Sequence, residues 1–104
     1  MGLGVRNSLL NTNAITVDAA TTAFSWNGGT GTVTAYGSFG GGTVTAQASG
    51  DGTTYMTLAT FTSSGYQNFT LGKGWLIRFV TTGSTTPAVT AQIWDCQPLN
   101  QSGI

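Results

Sequence analysis

The chain contains no histidine, no glutamate and only one cysteine, Cys96. Without histidine, the commonest general base and the usual activator of a serine or cysteine nucleophile are missing. A lone cysteine excludes an intrachain disulfide, and with it the secreted disulfide-scaffold class. Cys96 therefore reads as a small, partly buried apolar residue. Charge is equally scarce: Arg6, Lys73 and Arg78 stand against Asp18, Asp51 and Asp95, for a formal net charge of zero. No basic patch exists to neutralise phosphates, so neither nucleic acid nor a membrane surface is expected as a partner. Three aspartates scattered along the chain do not give the clustered carboxylates of a tight Ca²⁺ site, which takes roughly six to eight oxygens, and none is expected. Nor do they offer the paired acids of a glycoside hydrolase, and no glycine-rich loop ends in the Lys-Ser/Thr of a phosphate loop. No catalytic, cofactor-binding or metal-ligating residue is expected, and the chain is read as not an enzyme.

Long apolar runs are also missing. MGLGVRNSLLNTNAITVDAA holds no signal-peptide core before Asn11 interrupts it, and no segment is long enough to be a spanning helix. The Met1-Gly2 start fails as an acylation signal, because Arg6 stands where Ser or Thr is required.

What the chain does have is enough apolar and aromatic side chain to collapse, 39% and 11% of 104 residues, within a length that suits one domain over 1–104. Glycine, threonine, serine and valine dominate, which disfavours helix and favours strand. Alternating segments recur about every ten residues between Gly, Asn, Ser and Pro punctuation, the rhythm of a sandwich or barrel. Eight short strands are predicted, near 13–18, 22–26, 32–37, 43–49, 54–61, 66–71, 75–82 and 88–95. The fold class that follows is all-β, a single antiparallel β-sandwich of jelly-roll or immunoglobulin-like order. An N-terminal arm over 1–12 and a C-terminal tail over 96–104 lie outside the strand pattern.

Period two sorts the side chains. Ile15 with Val17, Phe24 with Trp26, Val33 with Ala35, and Val44 with Ala46 and Ala48 share inward faces, as do Met56 with Leu58, Phe69 with Leu71, and Val89 with Ala91 and Ile93. The segment GWLIRFVTT differs: Trp75, Ile77 and Phe79 share one face while Leu76 and Val80 lie on the other, around Arg78. A strand apolar on both sides is central or covered by a partner chain. A cation placed there needs a partner, either Asp95 or Asp18 in an ion pair or a group across a subunit contact.

The pentapeptide GTVTA occurs at 31–35 and again at 42–46, with VTAQ at 89–92. Two copies eleven residues apart do not make a solenoid, which needs three or more repeats at one period. They read as two strands with Val and Ala turned inward and Thr on a solvated face. SGDGTTY, at 49–55, resembles the Asp-box of sialidases but lacks one spacer, and Asp-Gly between alternating runs is a hairpin signal. Parity turns Trp26 and Trp75 inward and leaves Trp94, Tyr36 and Tyr55 for exposed or interfacial roles.

The stretches VTAQASGDGTTYMTL, FTL, GKGWLIRFV and AVTAQIW, spread over about 13–95, resemble in rhythm the small Gly- and Thr-rich β-sandwich decoration or cement proteins of tailed-phage capsids. That resemblance implies a structural protein on the outer capsid surface of a virion, often trimeric, with the major capsid protein as its partner. The residues agree with it. Low charge favours association, and apolar side chains on the two arms, Leu9, Leu10, Leu99 and Ile104, suit packing on a neighbour. With Leu76, Arg78, Val80 and Trp94 they form the candidate interface. The competing class is a carbohydrate-binding module of a host-recognition structure, in which Tyr36 and Tyr55 would stack on sugar rings.

Overall fold

The computed structural model describes residues 5–98, and the side chains of 8–96. Six strands form one antiparallel sheet: β1 (Val5–Ile15), β2 (Phe24–Ser38), β3 (Thr43–Ser49), β4 (Met56–Phe61), β5 (Gly65–Thr82) and β6 (Ala88–Pro98), in the order β1-β6-β2-β5-β3-β4. The all-β antiparallel expectation holds. The count of eight does not, because two pairs of predicted strands each run through as one. Residues 24–26 and 32–37 belong to β2, and 66–71 and 75–82 belong to β5.

Both long strands pass from one layer of the sandwich to the other. The first halves of β5 and the second halves of β2 pair at Gly29↔Leu71 through Ala35↔Gly65, beside β6 and then β1. The remaining part of β5 pairs with β3, Thr43↔Thr82 through Ser49↔Leu76, and β3 with β4. On its other side this part of β5 meets Phe24 and Ser25 of β2 and the chain just before them, through the Ala20↔Val80 bridge and Thr21 N donating to Phe79 O at 2.8 Å. Counting the bent strands as halves, the layers read 1-8-3-6 and 2-7-4-5, the strand order of a jelly roll with its two Greek keys.

The corner is built by glycine. Between Ser25↔Leu76 and Asn27↔Lys73 β5 carries one extra residue, and Gly74 there has φ of 91°, a left-handed conformation that leaves room for a bulge and bends the pair. In β2 the inward side switches from even positions, Phe24 and Trp26, to odd ones, Gly31, Val33 and Ala35, across the same corner.

The two layers enclose one core. Val33, Ala35, Ile77, Phe79, Val44, Ala46, Val89, Ala91 and Ile93 are buried, with Trp26 and Phe69 packed edge to face at 4.8 Å between centroids. The thinnest dimension of the molecule is 16 Å, which fits two sheets about 10 Å apart with their twist. Trp75 packs against this core from the corner, as parity predicts. Two inward assignments are corrected. Val17 lies past the end of β1 in a loop and is exposed, and Met56 opens the edge strand β4 and is exposed too. Two terminal expectations are corrected as well: residues 5–12 of the expected N-terminal arm are strand paired to β6, and residues 96–98 of the expected tail belong to β6.

Candidate functional site

A sandwich leaves two outer faces, and the candidate residues divide between them. The outer face of the β1-β6-β2-β5 layer carries Thr32, Thr34 and Tyr36 of β2. Trp94, Gln92 and Thr90 of β6 lie opposite them on one side, and Asn68 and Tyr66 of β5 lie opposite Thr32 and Thr34 on the other. Leu9 of β1 pairs with Trp94 and completes the row. This is the threonine face of the first GTVTA copy. Its hydroxyls are engaged: Thr32 Oγ1 donates to Asn68 Oδ1 at 2.7 Å and Thr34 Oγ1 to Gln92 Oε1 at 3.3 Å, while the Thr30 and Thr70 hydroxyls meet at 3.2 Å. Leu9, Tyr36 and Tyr66 are 47%, 48% and 70% exposed. Thr32, Thr34, Tyr66 and Trp94 line a groove of about 260 Å³. The indole Nε1 of Trp94 is enclosed yet has no acceptor. No charged side chain stands among the residues of these paired rows.

The opposite face belongs to β5, β3 and β4. Leu76, Arg78 and Val80 point outward from β5 and are half-buried, while Ile77 and Phe79 between them point into the core. Arg78 is not paired with an aspartate as its position in the sequence suggests. Its Nε donates to Gln47 Oε1 across the ladder at 2.8 Å, and its guanidinium carbon lies 3.7 Å from the centroid of the Tyr55 ring. Asp18 is taken up elsewhere, accepting from the backbone N and the hydroxyl of Ser84, which hold its carboxyl below the usual range. Asp95 stands on β6, in the other layer.

Of the candidate interface residues, Leu9 and Trp94 lie on the first face and Leu76, Arg78 and Val80 on the second. Leu10 sits at a β1 bulge between Leu9 and Asn11 and packs against the core instead of a neighbour. Leu99 and Ile104 lie outside the described residues. The two tyrosines expected to share a sugar platform are separated: Tyr36 is on the first face and Tyr55 is covered by Arg78 on the second. Tyr66 and Asn68 were missed as site residues. Their register opposite Thr34 and Thr32 is a long-range pairing that strand periodicity does not reveal.

The Asp-Gly loop is the hairpin its sequence predicts, joining β3 to β4. Asp51 Oδ1 accepts from the backbone N of Thr54 at 2.7 Å, that of Thr53 at 2.8 Å and the Ser49 hydroxyl at 3.0 Å. These donors stabilise the carboxylate and lower its pKa to about 2. An acid held ionised by its own turn is a structural device, ill suited to proton transfer near neutral pH. No protein-family model matches the chain, and no curated protein is significantly similar to it.

Proposed function

We propose that this protein is a non-enzymatic structural component of a virus particle, a decoration or cement protein that docks on the outer capsid surface, as a trimer, with the major capsid protein as its partner. The observation that carries the reading is the face around Arg78. Its Nε is tied to Gln47 and its guanidinium carbon sits over the Tyr55 ring, which restrains the terminal amino groups between the half-buried Leu76 and Val80. Such an arginine has already lost much of its rotamer freedom, and it bonds carboxylate or carbonyl oxygens with little further ordering. An arginine set beside an aromatic ring and between two half-buried aliphatic side chains also has the composition of an interface hot spot. The jelly-roll order supports the reading by analogy, since viral capsid domains use it, although a fold alone assigns no function.

The test is the native mass of the purified protein together with its cosedimentation with capsid shells. The expected result is a trimer that pellets with shells. Arg78→Met should stay folded and lose about 2 kcal/mol of docking energy, roughly thirtyfold in Kd. A protein that remains monomeric at high concentration and leaves shells untouched would overturn the reading.

A further inference from the structure

We infer that the groove between Trp94 and Tyr66 is a binding site for one ring of a neutral saccharide, on the face opposite Arg78 and independent of capsid docking. Trp94 on β6, level with Thr32, and Tyr66 on β5, level with Thr34, stand either side of β2, two strand spacings across and two residues along, about 12 Å apart. Between them Thr32 and Thr34 line the groove. The volume of about 260 Å³ is below that of a drug-sized pocket, which starts near about 300 Å³, and suits a single ring.

The polar groups are arranged for a ligand with both donors and acceptors. Because each Thr proton is directed to an amide oxygen, the side-chain NH₂ groups of Asn68 and Gln92 remain as outward donors and the Thr oxygens as acceptors. Pairing to Thr fixes the orientation of each amide before a ligand arrives. The rings of Tyr66 and Trp94 offer apolar area to the C–H faces of a pyranose, while the Trp94 Nε1 is enclosed below the surface and is not among the ligand donors. Absence of charge in these rows selects against ionic ligands, which would lose hydration without compensation.

The experiment is an NMR titration of the ¹⁵N-labelled full chain with maltose, cellobiose, lactose and chitobiose, following the three tryptophan indole N–H signals. A saturable shift of the Trp94 signal is expected with at least one of these sugars, while the signal of buried Trp26 stays in place. Tyr66→Ala, at a 70% exposed position, should fold normally and weaken binding at least tenfold, and Asn68→Ala should weaken it severalfold. Arg78→Met should leave the titration unchanged. No saturable response to any of the four sugars overturns the site, as does a response that persists undiminished in Tyr66→Ala.

Discussion

Gly31→Ala tests the close approach of β2, β5 and β6 just beyond the corner. A Cβ at residue 31 would lie 2.5 Å from Trp26 Cη2, 2.6 Å from the Trp94 carbonyl oxygen and 2.8 Å from Phe69 Cζ. None of the three can yield alone. Trp26 is 1% exposed, packs edge to face on Phe69 and donates its indole N–H to Gly29 O at 3.3 Å, while the Trp94 carbonyl belongs to the backbone of the paired strand β6. Overpacking a tight core costs about 1–3 kcal/mol, and three simultaneous contacts, one with backbone, place this change at the upper end, about 3 kcal/mol. For a domain of this size that is a drop in melting temperature of roughly 12–24 °C out of a total stability of about 5–15 kcal/mol. Gly72→Ala is the control: its nearest neighbours are Trp75 Cδ1 and Nε1 at 3.5 Å, ordinary contact, and reduced freedom of the unfolded chain should stabilise by up to about 1 kcal/mol. Thermal and urea unfolding of both variants, followed by tryptophan fluorescence, makes the comparison. If the two melt within a few degrees of each other, the close approach of β2, β5 and β6 at Gly31 is wrong.

Two further outcomes are expected. Thr81 is buried with its Oγ1 lacking any partner, so Thr81→Val removes an unsatisfied hydroxyl at nearly constant shape and should raise stability by about 1 kcal/mol, read as a higher urea midpoint; a lower midpoint would mean that the hydroxyl is bonded. Asp51, with its pKa lowered from 3.8 to about 2, contributes stability that is full above 3.8 and disappears as pH falls through about 2. Asp51→Asn keeps an acceptor in the turn without the titration, so its melting temperature should fall less steeply than that of the natural chain between these pH values, and parallel curves would remove Asp51 as a cause of acid sensitivity.

The sheet class, most of the core and the Asp51 hairpin were legible in the sequence because they rest on local alternation and turn chemistry. The strand count was not. Asn27-Gly28-Gly29 and Gly72-Lys73-Gly74 have the composition of loops, and in β2 the inward parity changes across the first of them, so a continuous bent strand looks like two short ones. Arg78 was correctly placed between Leu76 and Val80 on the outward side of β5. Its partners were not, since Gln47 and Tyr55 are brought to it by the β3–β5 register and by the β3–β4 loop. Tyr66 and Asn68 escaped for the same reason, and the apolar residues assigned to one interface turned out to lie on opposite sides of a sandwich. Periodicity assigns a side to each residue within its strand; only the ladder decides which strands share that side.

The two strands that turn the corner also determine how the molecule bears load. In a sandwich whose layers are joined by loops, a pull on one layer is resisted mainly by side-chain packing, and that layer can slide or peel away while the other survives. Here β2 and β5 carry a hydrogen-bonded backbone pair from one layer into the next, with only the bulge at Gly74 interrupting its register. Force applied at the Arg78 face therefore reaches the Trp94 face along the main chain, and the two layers should yield together, as a single mechanical unit.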